Sequence, residues 1–171
     1  MLRVAVLGFA ILAMVRPAPQ TRWNLSGNWA PDLNSHQRHS ELKNKDPHAL
    51  KAPLAAAGGL LFLPRLRVED AGATVAFEYI EDDGKPISSL RVTTDGKENV
   101  NPRAGSLVHT SRSRREGLSL RTDWRLTREG SEIMTGVDTW TLSGDGATLT
   151  QTSVMSDSKS RSRTKTTYRR K

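Results

Sequence analysis

From residue 60 onward, apolar and polar residues alternate with a period of two, and no stretch of helical period competes with them. Leu66 and Val68 stand between polar neighbours, as do Val75, Phe77 and Tyr79, and then Leu90 and Val92. Leu118 and Leu120, Trp124 and Leu126, Trp140 and Leu142, and Leu149 continue the pattern. Strand side chains point alternately to opposite faces, so this spacing buries one face of a sheet and wets the other. Turn chemistry separates the runs. Asp83-Gly84, Asp95-Gly96 and Asp145-Gly146 tolerate the left-handed backbone of tight hairpins. Asn101-Pro102 with Ala104-Gly105, and Glu129-Gly130, supply two further breaks. Strands are predicted near 24–30, 61–69, 74–81, 87–93, 105–113, 117–127, 132–142, 147–155 and 162–169. The fold class that follows is all-β, an up-and-down antiparallel barrel of about eight to nine strands. A sheet of this width curls and closes, because closure removes two exposed edges.

Length and composition narrow the functions available. A chain of 171 residues makes one ordinary domain. An apolar share of 36% and a mean hydropathy of −0.54 exclude a helical membrane protein. With no cysteine there are no disulfides, no thiol chemistry, no thiolate metal site and no lipid-modified cysteine. The formal charge of +8 is unevenly spread, since residues 101–171 carry 14 basic and 7 acidic side chains. Such asymmetry marks either a polyanion-binding face or a surface merely rich in Arg and Lys.

The first twenty residues read as an address. Met1-Leu2-Arg3 is a short positive start, Val4 to Val15 is unbroken apolar residues and glycine, and Arg16-Pro17-Ala18-Pro19 breaks it. This is the layout of a secretory signal peptide at 1–20, with a domain at 21–171. The cleavage site is not clean, because Pro19 would follow a cut after Ala18. Residues 30–59 depart from the alternation. Asn34 to Ser40 is polar, and Asp46-Pro47 opens a short helix over His48 to Ala57 in this first long loop.

Leu25-Ser26-Gly27-Asn28-Trp29 places a Gly-x-Trp on the predicted first strand. This resembles the lipocalins. The resemblance implies that Gly27 permits close packing and that Trp29 plugs the closed end of the barrel. It also implies that an arginine near the end of the last strand (Arg163, Arg169 or Arg170) packs over that tryptophan. The chain is more closely similar to a group of secreted lipocalin-like proteins of soil bacteria. It shares with them the Leu-Ser-Gly-x-Trp start, the Thr-Thr-Asp-Gly-Lys-Glu-Asn turn at 93–99 and the late hairpin from Trp140 to Thr150. That resemblance spans roughly residues 23–170 and implies fold and export, not chemistry. The chain departs from the group in its insert at 34–59 and in its arginine-dense segment at 112–128.

Few residues suggest catalysis. His36 and His39 could share a helical face and hold a metal, but no third ligand stands at a convincing spacing, so no metal site is assigned. The acids Glu81, Asp82 and Asp83 read as a solvated turn, since the full calcium loop is absent. Asp123 and Asp138, both beside tryptophan-bearing strands, are the carboxylates best placed for acid–base work, though nothing in their spacing pairs them. Nucleophile, phosphate-loop and dinucleotide motifs do not occur. Trp124, Trp140 and Tyr79 lie on predicted strands, where they either pack the core or line a ligand cavity. Arg112, Arg114 and Arg115, then Arg121, Arg125 and Arg128, flank two adjacent strands as a candidate polyanion-binding hairpin.

The sequence therefore describes a secreted or periplasmic binding module, not an enzyme, holding a small apolar or amphipathic ligand in a barrel cavity. A surface binder of anionic polymers through the arginine hairpin is the second possibility, and an inhibitor-like interaction barrel the third. Nucleic acid is the least expected partner, no cofactor is implied, and a monomer without a transmembrane domain after signal removal is expected. If the leader reading is right, the mature protein lies outside the cytoplasm and lacks about twenty residues. Mass spectrometry of fractionated cells checks this, and intact Met1 in the cytosol contradicts it.

Overall fold

The alternating runs pair antiparallel into a single eleven-stranded sheet. The computed structural model describes residues 23–42, 64–102 and 106–171. Its strands are β1 (Gly27–Pro31), β2 (Gln37–Leu42), β3 (Arg65–Asp70), β4 (Thr74–Ile80), β5 (Pro86–Thr93) and β6 (Asp95–Pro102). They continue as β7 (Leu107–Glu116), β8 (Ser119–Arg128), β9 (Ser131–Leu142), β10 (Thr148–Ser156) and β11 (Ser160–Arg170). The sheet runs β5-β4-β3-β1-β11-β10-β9-β8-β7-β6, with β2 also paired to β11. A 3-10 turn at Leu33–Ser35 separates β1 from β2, so the two act as one bent strand along β11.

The ends of this path, β5 and β6, come side by side, but side chains and not a backbone ladder join them. Asn99 Oδ1 accepts the backbone N–H of Thr93 at 2.9 Å, and Asn101 Oδ1 accepts that of Arg91 at 3.4 Å. The Thr93–Asn99 motif is therefore the turn at the seam of a nearly closed barrel. Asp95 fixes it by accepting from the Thr93 hydroxyl and the Lys97 N–H.

The strand count exceeds the eight or nine predicted, for two reasons. The polar stretch read as loop contains β2, and the break at Asn101-Pro102 falls at the end of β6. Neither shows apolar alternation. The inner face of β6 carries Asn99 and Asn101, which serve the seam and not the core. The short helix expected over His48 to Ala57, and the leader at 1–20, lie outside the described residues.

The hydrophobic core sits at one end of the barrel. Trp29, Leu66, Val68, Phe77, Leu120, Trp140, Leu149 and Tyr168 are all buried there. Trp140 stacks on Phe77 at 4.8 Å between ring centroids. Trp29 is 1% exposed and donates its indole N–H to the Leu25 carbonyl at 3.1 Å. Of the three arginines considered, Arg170 covers it, with the guanidinium 4.4 Å from the ring centroid. Arg169 instead pairs with Asp32 at 2.9 Å, and Arg163 is exposed. Arg170 also donates to the carbonyls of Ser26 at 2.7 Å and Gly146 at 2.9 Å. Gly27 makes this approach possible. Its φ is +151°, and a Cβ there would stand 2.8 Å from an Arg170 guanidinium nitrogen.

The plug carries much of the fold's stability. Trp29→Ala is expected to cost about 3–5 kcal/mol, the range for losing a fully packed large aromatic side chain. Denaturant melts measure it, and agreement of variant and parent within about 0.5 kcal/mol would show that the plug contributes nothing.

Candidate functional site: a polar belt inside the barrel

Cross-strand partners share a face, so the register traces rows around the barrel wall. Two rows form the floor: Leu142 opposite Leu149 and Tyr168, and above it Leu120 opposite Trp140, a row that continues to Gln151 and Thr166. One step toward the other end, the partners run Ser113, Thr122, Asp138, Ser153, Thr164 across β7 to β11. The next row runs Asn99, Ser111, Trp124, Gly136, Met155, Ser162. The interior thus changes from an apolar floor to a belt of hydroxyls around one carboxylate. Above the belt, a depression with about 10 Å³ of room lies between Met134, Met155, Ser156, Asp157, Ser160 and Ser162. That is space for roughly one water. β2 ends near this depression, Leu42 opposite Ser160, and residues 43–63 lie outside the described residues.

Trp124 is held by the absence of a side chain. Its ring lies over Gly136, where a Cβ would come within 2.3 Å of the indole. The His109 ring packs beside it, 5.7 Å between centroids. Ser113 and Thr122 satisfy each other through a 2.8 Å hydrogen bond. Other belt groups do not. Among the described residues, Asn101 Nδ2, Ser111 Oγ, Trp124 Nε1 and Asp138 Oδ1 are shut off from solvent without a hydrogen-bond partner. Buried polar atoms in native proteins are normally paired, and each such orphan costs about 1–3 kcal/mol. Several of them lie together on this inner surface, and Trp23 Nε1 and Arg115 Nη1 are two further ones at the closed end.

Asp138 dominates the electrostatics. Burial pushes its carboxyl up to about 6, even though the Ser153 hydroxyl and the nearby Trp124 indole favour the charged form. The Tyr168 phenol is pushed above its usual value, first by burial and then by the Asp138 charge. At neutral pH the belt therefore holds a desolvated negative charge that no basic side chain of these rows offsets.

The residues singled out from sequence fall into three places. Trp124 faces the belt. Tyr79 lies on the inner face opposite Leu66 and Ser88, partly buried against the core. Trp140 belongs to the floor, 2% exposed between Phe77 and Tyr168. Asp138, which the sequence offered only as a weak acid–base candidate, is the centre of the belt. Only the register could reveal this, because its partners Thr122 and Ser153 are distant in sequence.

The arginine hairpin is less basic than it reads. Arg112 and Arg114 do share the outer face of β7, and Arg121 and Arg125 that of β8, but acids interleave with them. Glu98 accepts from both Arg112 and Arg125 at 3.4 Å, Arg121 pairs with Asp123 at 2.9 Å, and Arg114 pairs with Glu116. Four arginines thus meet three carboxylates. Arg115 is not on that face. It turns to the closed end, pairs with the buried Asp70, and lies 4.3 Å from the Trp23 ring centroid. Arg128 is exposed at the opposite end of β8. Of the histidines, His36 meets the Thr166 hydroxyl at 2.9 Å. Among the described residues no group of three or more potential metal ligands assembles.

No protein-family model matches the chain, and no curated protein matches it either. Solved structures share its architecture. Zebrafish ileal bile acid-binding protein complexed with cholic acid is 14% identical with a TM-score of 0.52, matching 86% of this chain and 98% of that one. Apo Caenorhabditis elegans lipid binding protein 8 is 15% identical with a TM-score of 0.51, over 86% and 95%. A secretory abundant heat soluble protein from Ramazzottius varieornatus is 13% identical with a TM-score of 0.51, over 85% and 94%. At these identities the likeness establishes the fold, a lipocalin-like and fatty-acid-binding-protein-like barrel.

The buried charge predicts a pH dependence of stability. The folded-state pKa of Asp138, about 6, lies above the ordinary 3.8, so the fold favours the neutral form. That contribution is fully present below about pH 3.8 and lost as the pH rises through about 6. Two pKa units correspond to about 3 kcal/mol. Asp138→Asn is therefore expected to stabilise the unliganded protein by up to that amount at pH 7.5, and by little at pH 3.5. Melts at the two pH values check it, and an equal effect at both contradicts it.

Proposed function

We propose that this chain is an exported barrel that binds one small amphipathic ligand through its open end. The ligand's tail lies against the apolar floor and its head in the polar belt. The observation that carries the reading is the set of unpartnered groups on the inner wall: Asp138 Oδ1, Trp124 Nε1, Ser111 Oγ and Asn101 Nδ2. A barrel acting only through its outer surface gains nothing from leaving them unsatisfied, whereas a bound head group would complete them. Two structural neighbours are a lipid binding protein and a bile acid-binding protein, which agrees with this use of the fold. Export rests on the charged, apolar and broken pattern of residues 1–20. The depression at this end has room for roughly one water, and the floor below it is packed, so the wall must open for such a ligand to enter. Met134 and Met155 line the depression, and these unbranched, adaptable side chains can give way.

Titration with the neutral fluorophore Nile red tests the reading. One saturable site is expected. Met155→Trp, which fills the inner wall, should weaken binding at least about tenfold, a change of about 1.4 kcal/mol. Arg112→Gln on the outer face should leave it unchanged. Binding that is not saturable, or that responds alike to both variants, would place the dye on the surface and defeat the proposal.

A further inference from the structure

We infer that the ligand's head group is cationic, a protonated amine that donates to Asp138; this rests on the amphiphile-binding reading above. The argument is one of charge and inventory. Asp138 stands in the middle of the belt row, flanked in register by Thr122 on β8 and Ser153 on β10. Its Oδ1 is buried and outside good hydrogen-bond geometry with any donor, although the Ser153 hydroxyl and the Trp124 indole lie close enough to favour its charge. The remaining members of the two belt rows are Ser113, Thr164, Asn99, Ser111, Trp124, Gly136, Met155 and Ser162, none of them basic. The arginines that enter the barrel's closed end are already used. Arg115 is committed to Asp70 and Arg170 to the Ser26 and Gly146 carbonyls.

A carboxylate head would meet a like charge in a low-dielectric wall where, among the described belt residues, no arginine or lysine offsets it and the nearest basic group is His109 beside Trp124. A hydroxyl head could donate to Asp138 but would leave its charge uncompensated. An ammonium head does both, since it supplies the missing donor and neutralises the buried charge in one contact. Ser111 Oγ, one row further toward the open end, offers a second acceptor on the same side of the wall.

Three ligands with the same twelve-carbon tail separate the head groups: dodecylammonium, dodecanol and dodecanoate. Each competes with Nile red at concentrations below its aggregation threshold, at pH 7.5. The expected order is dodecylammonium tightest by about tenfold to a hundredfold over dodecanol, with dodecanoate weakest. In Asp138→Asn the amine's advantage over the alcohol should disappear, while dodecanol still binds. Circular dichroism confirms that the variant is folded, and the order in the parent protein decides the matter even if it is not. Equal binding of all three, or dodecanoate at least as tight as the amine, overturns the inference and leaves the binding reading standing. Failure of all three to displace bound Nile red also overturns it. If Nile red itself finds no saturable site, the amphiphile-binding reading falls first.

Discussion

Arg170 ties the barrel shut. It bridges the chain's approach to β1, through the Ser26 carbonyl, and the β9–β10 turn, through Gly146, while its plane covers Trp29. Gly27 must lack a side chain for the guanidinium to reach that place. Arg115 repeats the device nearby. It covers Trp23 and pairs with Asp70, whose other oxygen accepts the Leu25 N–H at 3.0 Å. Two arginine–tryptophan pairs thus seal one end. Each guanidinium has its charge met by a carboxylate or by carbonyls, although Arg115 Nη1 and Trp23 Nε1 remain buried without a partner.

This concentration of order at one end lets the interior above it be polar. The floor holds the large side chains, Trp29, Trp140, Phe77 and Tyr168, in mutual contact. Above it the wall turns to serine, threonine and a single aspartate. Such a surface is poor material for a core, since unpartnered donors and a desolvated charge oppose folding. Stability given up at one spot, in a barrel otherwise well packed, is a common signature of a working site. The seam fits the same division. Where β5 and β6 meet, asparagine side chains take the place of a ladder, so that wall is held more loosely than the rest.

Much of the fold was legible because its signals are local. Alternation at Val75, Phe77 and Tyr79 or at Leu90 and Val92 fixes both strand and face, and the Asp-Gly turns fix where strands end. Glu129-Gly130, with φ of 51° and 79°, behaves as its composition says. The strands that escaped notice, β2 and β6, are those whose side chains serve a seam or an edge and so lack apolar period. The plug was legible through Gly-x-Trp, down to a choice of three arginines that only distances could narrow. The site was not. A belt is a row across five strands, and Ser113, Thr122, Asp138, Ser153 and Thr164 have no common spacing in sequence. The arginine hairpin was legible as a run of like charge, but only part of its pairing was. Its like charges are neighbours in sequence, and so are Asp123 and Glu116, each two residues from the arginine it meets, but Glu98 reaches Arg112 and Arg125 only once the strands pair.

The account depends on Asp138 being a buried carboxyl inside the barrel wall and not a surface acid. NMR observation of its side-chain carboxyl carbon through a pH titration of the unliganded protein reports this directly. The structure predicts a midpoint near 6. A midpoint near the ordinary value of 3.8 would mean that water reaches the carboxylate freely, and the belt would then be an exposed surface with nothing to complete.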